Sequence, residues 1–137
     1  MNQDRRDALV QGVASAVLAL AALAVPLPGS AQSSQVSLDQ ARAEHEAGNA
    51  LLVDIREPEE HATGVVPGAR LLPMRQLSAR LAELPRDRPV LLICNTQNRS
   101  RATFDALRDR GWTNLRYVGG GRSEWNRRGW KTVKPGG

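Results

Sequence analysis

Cysteine is almost missing from this chain: Cys94 is the only one in 137 residues. A single thiol closes no internal disulfide and cannot build a cysteine-rich zinc site. Histidine adds only His45 and His61, so neither a transition-metal centre nor a metal cofactor is expected. Aromatic residues make up 4%, too few for a platform that stacks single-stranded bases; no nucleic-acid partner is expected. Beyond residue 31 there is no internal repeat and no low-complexity run. Disorder is excluded from the other side, because 41% apolar and 24% charged residues describe a globular chain.

What is present begins with a leader. Arg5 and Arg6 precede an apolar stretch from Ala8 to Val25, interrupted only by Gln11, Gly12 and Ser15, and closed by Pro26, Pro28 and Gly29. Small residues at Gly29 and Ala31 approximate a cleavage site before Gln32. This is the three-part plan of a secretory signal peptide over residues 1–31, and it predicts an exported, periplasmic protein. The competing reading is a membrane anchor over residues 8–25, which lies at the lower limit of length for a span. No cysteine sits near the cleavage point, so a lipid-anchored form is not expected.

The remaining segment, 32–137, is long enough for one modest core. Its charge is uneven. Residues 32–93 hold seven arginines and nine acids, net −2; residues 94–137 hold eight arginines and two lysines against three acids, net +7. The excess therefore starts at the cysteine, either as a solvated basic face or as a surface that draws anions.

Ser37 and Gln40 have the spacing of a capping box for a short helix that Gly48 stops. Leu51–Ile55 and Pro89–Ile93 read as buried strands, the second central; Leu115–Val118 reads as another, and Ala69–Leu72 as a minor one. Leu77, Leu81 and Leu84 predict a helix ended by Pro85. Further helices are predicted from Pro58, over 99–110 with Gly111 as its stop, and over 123–128 after the turn Gly119-Gly120-Gly121. Helices alternating with short apolar strands imply an α/β domain, a mainly parallel sheet covered by helices on both faces.

In such a sheet, ligands bind outside the carboxyl ends of the strands. Cys94 stands there: it ends the central strand, the loop Asn95-Thr96-Gln97-Asn98 follows, and a helix opens at Arg99-Ser100. Unpaired N–H groups and the positive end of the helix dipole favour the thiolate, as does Arg99. The position predicts a nucleophile; a small buried hydrophobe is the alternative.

Four segments, in order, resemble the rhodanese family of sulfurtransferases. Leu51-Leu52-Val53-Asp54-Ile55-Arg56-Glu57-Pro58-Glu59-Glu60 is similar to the family's first strand with its D-x-R-x-x-x-E pattern. Gly64-Val65-Val66-Pro67-Gly68-Ala69 is similar to its G-H-I-P-G-A turn, with Val65 in place of histidine. Cys94 to Ser100 resembles the C-x-x-G-x-R-S active-site loop, with Gln97 in place of glycine. Gly120-Gly121-Arg122-Ser123-Glu124-Trp125 resembles the closing G-G-x-x-x-W.

The resemblance implies a single rhodanese-like domain over 32–137 in which Cys94 takes a sulfane sulfur from a small anionic donor such as thiosulfate. It holds the sulfur as a persulfide and passes it to cyanide, a thiol or a protein acceptor. Asn95, Thr96, Gln97, Asn98, Arg99 and Ser100 would form the loop that cups the sulfur, an anion nest. Asp54 and Arg56 would support the site, or form only a local surface ion pair. A non-catalytic sulfur carrier or binding module is the alternative. A cysteine-dependent phosphatase or arsenate reductase is the minor one, because Cys94 and Arg99 are spaced C-x4-R, not the C-x5-R that encircles a phosphate. Gln97 is expected to be strained if its position needs a left-handed backbone, and its side chain to reach the pocket mouth. Arg101 and Arg122 are expected in solvent, His61 on the surface and Trp125 in the core.

Overall fold

A computed structural model describes residues 34–136. The expected signal peptide, its cleavage site and the alternative anchor over 8–25 lie outside the described residues.

Five parallel strands form one sheet: β1 (Gln35–Val36), β2 (Leu51–Asp54), β3 (Arg70–Leu71), β4 (Val90–Ile93) and β5 (Leu115–Val118), in the order β1-β5-β4-β2-β3. Among the described residues four α-helices accompany them: α1 (Leu38–Glu46), α2 (Pro58–His61), α3 (Asn98–Asp109) and α4 (Gly121–Arg127). The expected α/β architecture is therefore found. β4 lies at the centre and is fully buried, as a parallel strand covered on both faces must be. Its two faces feed two apolar clusters. Leu92 and Cys94 pack with Val53, Phe104, Leu107 and Trp112; Leu91 and Ile93 pack with Leu52, Val36, Val118 and Trp125. Trp125 is thus a core residue, as the sequence predicts.

The register places the functional end. Asp54 pairs with Ile93, and Ile55 N–H donates to Ile93 O at 3.0 Å. The β2 and β4 strands therefore stop level, and Arg56 and Cys94 leave the sheet on the same rim.

Two expectations are corrected and one strand is added. Leu77, Leu81 and Leu84 do not lie on an α-helix: the segment forms 3-10 turns, Met74–Gln76 and Ser78–Glu83, with a non-helical Arg80 inside the second. Its bonds run three residues back, Leu77 to Met74, Arg80 to Leu77 and Leu84 to Leu81. The turns are broken at Arg80, whose φ of −118° and ψ of 20° lie outside the helical region, so no continuous helix spans the three leucines. The capping box at α1 is half made. Ser37 Oγ accepts from Gln40 N–H at 3.1 Å, but the Gln40 side chain donates onward to Glu44 rather than back to the cap. The β1 strand was not predicted; its two residues gain their identity only from β5, with Gly119 N–H donating to Val36 O at 2.9 Å.

Helix α4 begins against the end of β4. Gly120 and Gly121 are both left-handed, at φ 77° and 59°. A Cβ at Gly121 would lie 2.2 Å from Thr96 O, 2.5 Å from Cys94 O and 2.7 Å from Asn95 O. Only glycine fits, for both reasons. Gly121→Ala is expected to cost at least about 2 kcal/mol of folding stability, read as a lowered thermal midpoint; an unchanged midpoint would contradict this packing.

Candidate functional site

Cys94 is fully buried at the carboxyl end of β4. Ser100 N–H, in the first turn of α3, donates to Cys94 Sγ at 3.4 Å. Ser100 Oγ also lies 3.4 Å from Sγ, and its hydroxyl donates to Gln97 O at 3.1 Å. The thiol hydrogen thus has an acceptor in Ser100, whose own hydrogen is passed to the loop backbone.

The loop between them is held from behind. Arg122 N–H donates to Cys94 O and Ser123 N–H to Asn95 O, both at 2.8 Å. These bonds turn the loop carbonyls toward α4. Among the described residues, the N–H groups of Asn95, Thr96, Gln97 and Arg99 have no protein acceptor. Asn95, Thr96 and Asn98 are exposed, Gln97 and Arg99 half-buried, and Ser100 buried. The six loop residues and Cys94 are therefore brought together as one cradle: a buried sulfur reached by the Ser100 N–H, and a loop with further N–H groups that have no protein acceptor. Such a run of N–H groups suits a small anion or a polarisable anionic sulfur.

Gln97 differs from expectation. Its φ is −158°, extended backbone open to any residue, and no non-glycine residue among those described has a positive φ. The expected left-handed strain is absent. Its Oε1 accepts from Gly120 N–H at 3.2 Å, so the side chain ties the loop to the glycine turn instead of reaching the mouth.

Arg99 is not free to meet a ligand. Its Nη1 and Nη2 donate to the two carboxylate oxygens of Glu60, each at 2.7 Å, while Glu60 Oε2 also accepts from Glu57 N–H at 2.9 Å. The Arg99 guanidinium holds the Glu60 carboxyl down to about 2, and the Arg99 pKa is raised in return. This clamp joins α2 to the start of α3. Glu60 was not among the residues picked from the sequence as site residues; its place as the acid that closes the D-x-R-x-x-x-E pattern was the available signal.

Asp54 and Arg56 are not a surface pair. Both are buried, and Arg56 Nε and Nη2 grip the Asp54 carboxylate at 3.0 and 2.9 Å. Arg56 Nη2 also donates to Gly64 O at 2.9 Å. Two further expectations fail here. Arg122, expected in solvent, is 1% exposed: its Nη2 donates to the same Gly64 O at 3.2 Å and Nη1 to Asn126 Oδ1 at 3.3 Å, while Nε has no partner. Burial pushes the Arg122 pKa down, and the neighbouring Arg56 charge adds to this. It follows the glycine turn and sits three residues before Trp125, so one helix face carries both inward. His61, expected on the surface, is buried with Nε2 3.3 Å from Asp54 Oδ1, too poorly aligned for a hydrogen bond. Arg101 is exposed.

A model of the rhodanese-like domain matches residues 37–128. The chain belongs to the rhodanese-like domain family. A sulfurtransferase of Allochromatium vinosum is 39% identical over 101 residues, covering 74% of this chain and 92% of that protein. Among solved structures, a rhodanese-related protein from Thermoplasma volcanium is 26% identical with a TM-score of 0.65 over 72% of this chain and 96% of its own. A human single-domain sulfurtransferase is 26% identical with a TM-score of 0.62, over 71% of this chain and 98% of its own. The family and the relative support a rhodanese-type sulfurtransferase.

The Glu60 clamp has a pH signature. Because its carboxyl is depressed in the folded state, the clamp contributes stability above the ordinary carboxylate value of 4.5 and loses it as pH falls toward about 2. Urea unfolding of the protein and of Glu60→Gln should differ near neutrality and converge by about pH 2. A difference independent of pH would contradict the clamp.

Proposed function

We propose that this rhodanese-like domain transfers a sulfane sulfur through a persulfide on Cys94, with thiosulfate as a competent donor. The observation that carries the reading is the cradle: one thiol at the foot of a loop whose unpaired N–H groups face no carbonyl. The Cys94 thiolate attacks the outer sulfur of thiosulfate. The sulfur–sulfur bond of the donor breaks, and sulfite leaves with the bonding pair. The new Cys94–S⁻ projects into the loop, where the N–H groups of Asn95, Thr96, Gln97 and Arg99 and the Ser100 N–H stabilise its charge. Cyanide or a thiolate then attacks that outer sulfur; the bond to Sγ breaks and the Cys94 thiolate is restored. Donors already in place at the developing charge need no reorganisation during transfer. Asp54, Arg56 and Arg122 do not touch the reacting sulfur; they hold Gly64 O and the α2 segment behind it.

The carrier reading, in which Cys94 is loaded but not turned over, would draw on Gln97 in place of the family's glycine; the extended backbone of Gln97 and its bond to Gly120 show no distortion of the loop that would favour it. The phosphatase reading needs an arginine free to bind phosphate, and Arg99 is held by Glu60.

The leader over 1–31 supports export to the periplasm after cleavage. Mature protein recovered from the periplasm should start near Gln32; recovery of the full chain in the membrane fraction would favour the anchor.

Thiosulfate treatment should add the mass of one sulfur to the protein and none to Cys94→Ser. Ser100→Ala keeps the backbone N–H that donates to Sγ and removes the hydroxyl that accepts from the thiol and donates to Gln97 O; it should keep the fold and lower kcat/KM for sulfur transfer by about ten-fold, the cost of one hydrogen bond that orders the loop. Full activity in Cys94→Ser would overturn the assignment.

A further inference from the structure

The sulfur acceptor is left unnamed by the cradle, and the surface beside it points to one; this inference rests on the sulfurtransfer reading. Two adjoining cavities lie along one side of α3. The first, of about 300 Å³, is lined among others by Met74, Leu77, Leu81, Ala106 and Arg110. The second, of about 510 Å³, shares Leu81 and Arg110 with it and continues to Arg86 and Trp112. The shared residues make one groove with an apolar floor. Met74, at its near end, is the large apolar side chain left exposed among the described residues, at 39%.

The groove starts at the functional rim. Ala102, Ala106 and Arg110 recur every four residues on one face of α3, and Arg99 lies one turn before Ala102, roughly 5 Å along the axis. The facing wall starts at the same edge of the sheet, since Met74 N–H donates to Ile55 O at 2.9 Å. From Ala102 to Arg110 the floor is about 12 Å long, two helical turns.

Its rim is cationic. Arg110 and Arg86 have no carboxylate partner among the described residues, and Arg86 stacks over Trp112 at 4.0 Å. Arg75, 80% exposed, approaches Glu57 only to 3.8 Å. The nearby Glu83 is held by Arg80. Elsewhere most arginines of the basic half are paired, Arg99 on Glu60, Arg116 on Glu44, Arg127 and Arg128 on Glu124, while the exposed Arg101 and Lys131 have no carboxylate partner among the described residues. The groove is thus where uncompensated positive charge borders an apolar floor.

We propose that this groove docks an acidic amphipathic helix of the protein that accepts sulfur, apolar stripe down and acids against Arg75, Arg86 and Arg110, with its thiol at the end nearest Cys94. The thiolate of that helix would attack the outer sulfur of the Cys94 persulfide, leaving the Cys94 thiolate and a persulfide on the partner.

Synthetic helical peptides test it on the unloaded protein by fluorescence anisotropy: a leucine stripe flanked by glutamates with one terminal cysteine, the same composition scrambled, and a lysine analogue. The acidic amphipathic peptide should bind at least about ten-fold more tightly than either control, and Ala106→Glu and Arg110→Glu should each remove most of that preference. Sulfur transfer to the peptide should fall in parallel in both variants, while transfer to cyanide stays unchanged. Equal binding of the scrambled peptide, or a preference that survives both substitutions, would overturn the proposal. So would tighter binding to vesicles of anionic lipid than to the peptide, or self-association abolished by Ala106→Glu. Because binding is read without sulfur, failure of Cys94 to load with thiosulfate would count against the transfer reading alone.

Discussion

Two hydrogen bonds from the start of α4, Arg122 N–H to Cys94 O and Ser123 N–H to Asn95 O, determine what the cysteine loop can do. A peptide unit points its carbonyl and its N–H in opposite directions. Fixing the carbonyls of Cys94 and Asn95 toward α4 turns the N–H groups of the next residues, Asn95 and Thr96, away from it. The contact is close enough that Gly121 can carry no side chain. The chemistry of the site is therefore set by a helix that contributes no side chain to the reacting sulfur.

Behind the loop lies a buried polar cluster with more positive than negative charge. Asp54 is its carboxylate, gripped by Arg56; Arg122 has only a shared carbonyl and an amide for partners. Burying charge this way is costly unless each group is bound. What the cluster secures is position: Arg56 and Arg122 converge on Gly64 O, which fixes the segment after α2, while Glu60 on α2 clamps Arg99 on α3. The Val65 bridge to Val133 closes the same segment from the chain end. The first turn of α3, and with it Ser100, is thus tied to the end of β2 through side chains rather than through the sheet.

Much of the fold was legible because its signals were local. The apolar runs of β2, β4 and β5 and the glycine that stops α3 need no tertiary information. The place of Cys94, between the end of β4 and the loop that opens α3, was legible from the same local signals. What was missed depends on distant partners. The two residues of β1 are a strand only beside β5. Leu77, Leu81 and Leu84 keep a helical spacing, yet the backbone leaves the helical region at Arg80 and the segment forms only 3-10 turns. Charge usually lies in solvent, but the carbonyl of Gly64, far away in sequence, accepts from Arg122 in the interior, and His61 is buried beside Asp54. Gln97 was read as a strained substitute for glycine, whereas its extended backbone and its bond to Gly120 make it a fastener.

The central claim is that the loop N–H groups hold the transferred sulfur. Backbone amide NMR before and after loading Cys94 with thiosulfate measures this directly. The account predicts that the amide protons of Asn95, Thr96, Gln97, Arg99 and Ser100 shift downfield on loading, as donors to an anionic sulfur do, with smaller changes elsewhere. A persulfide confirmed by mass on Cys94 that leaves those amides unmoved would contradict it.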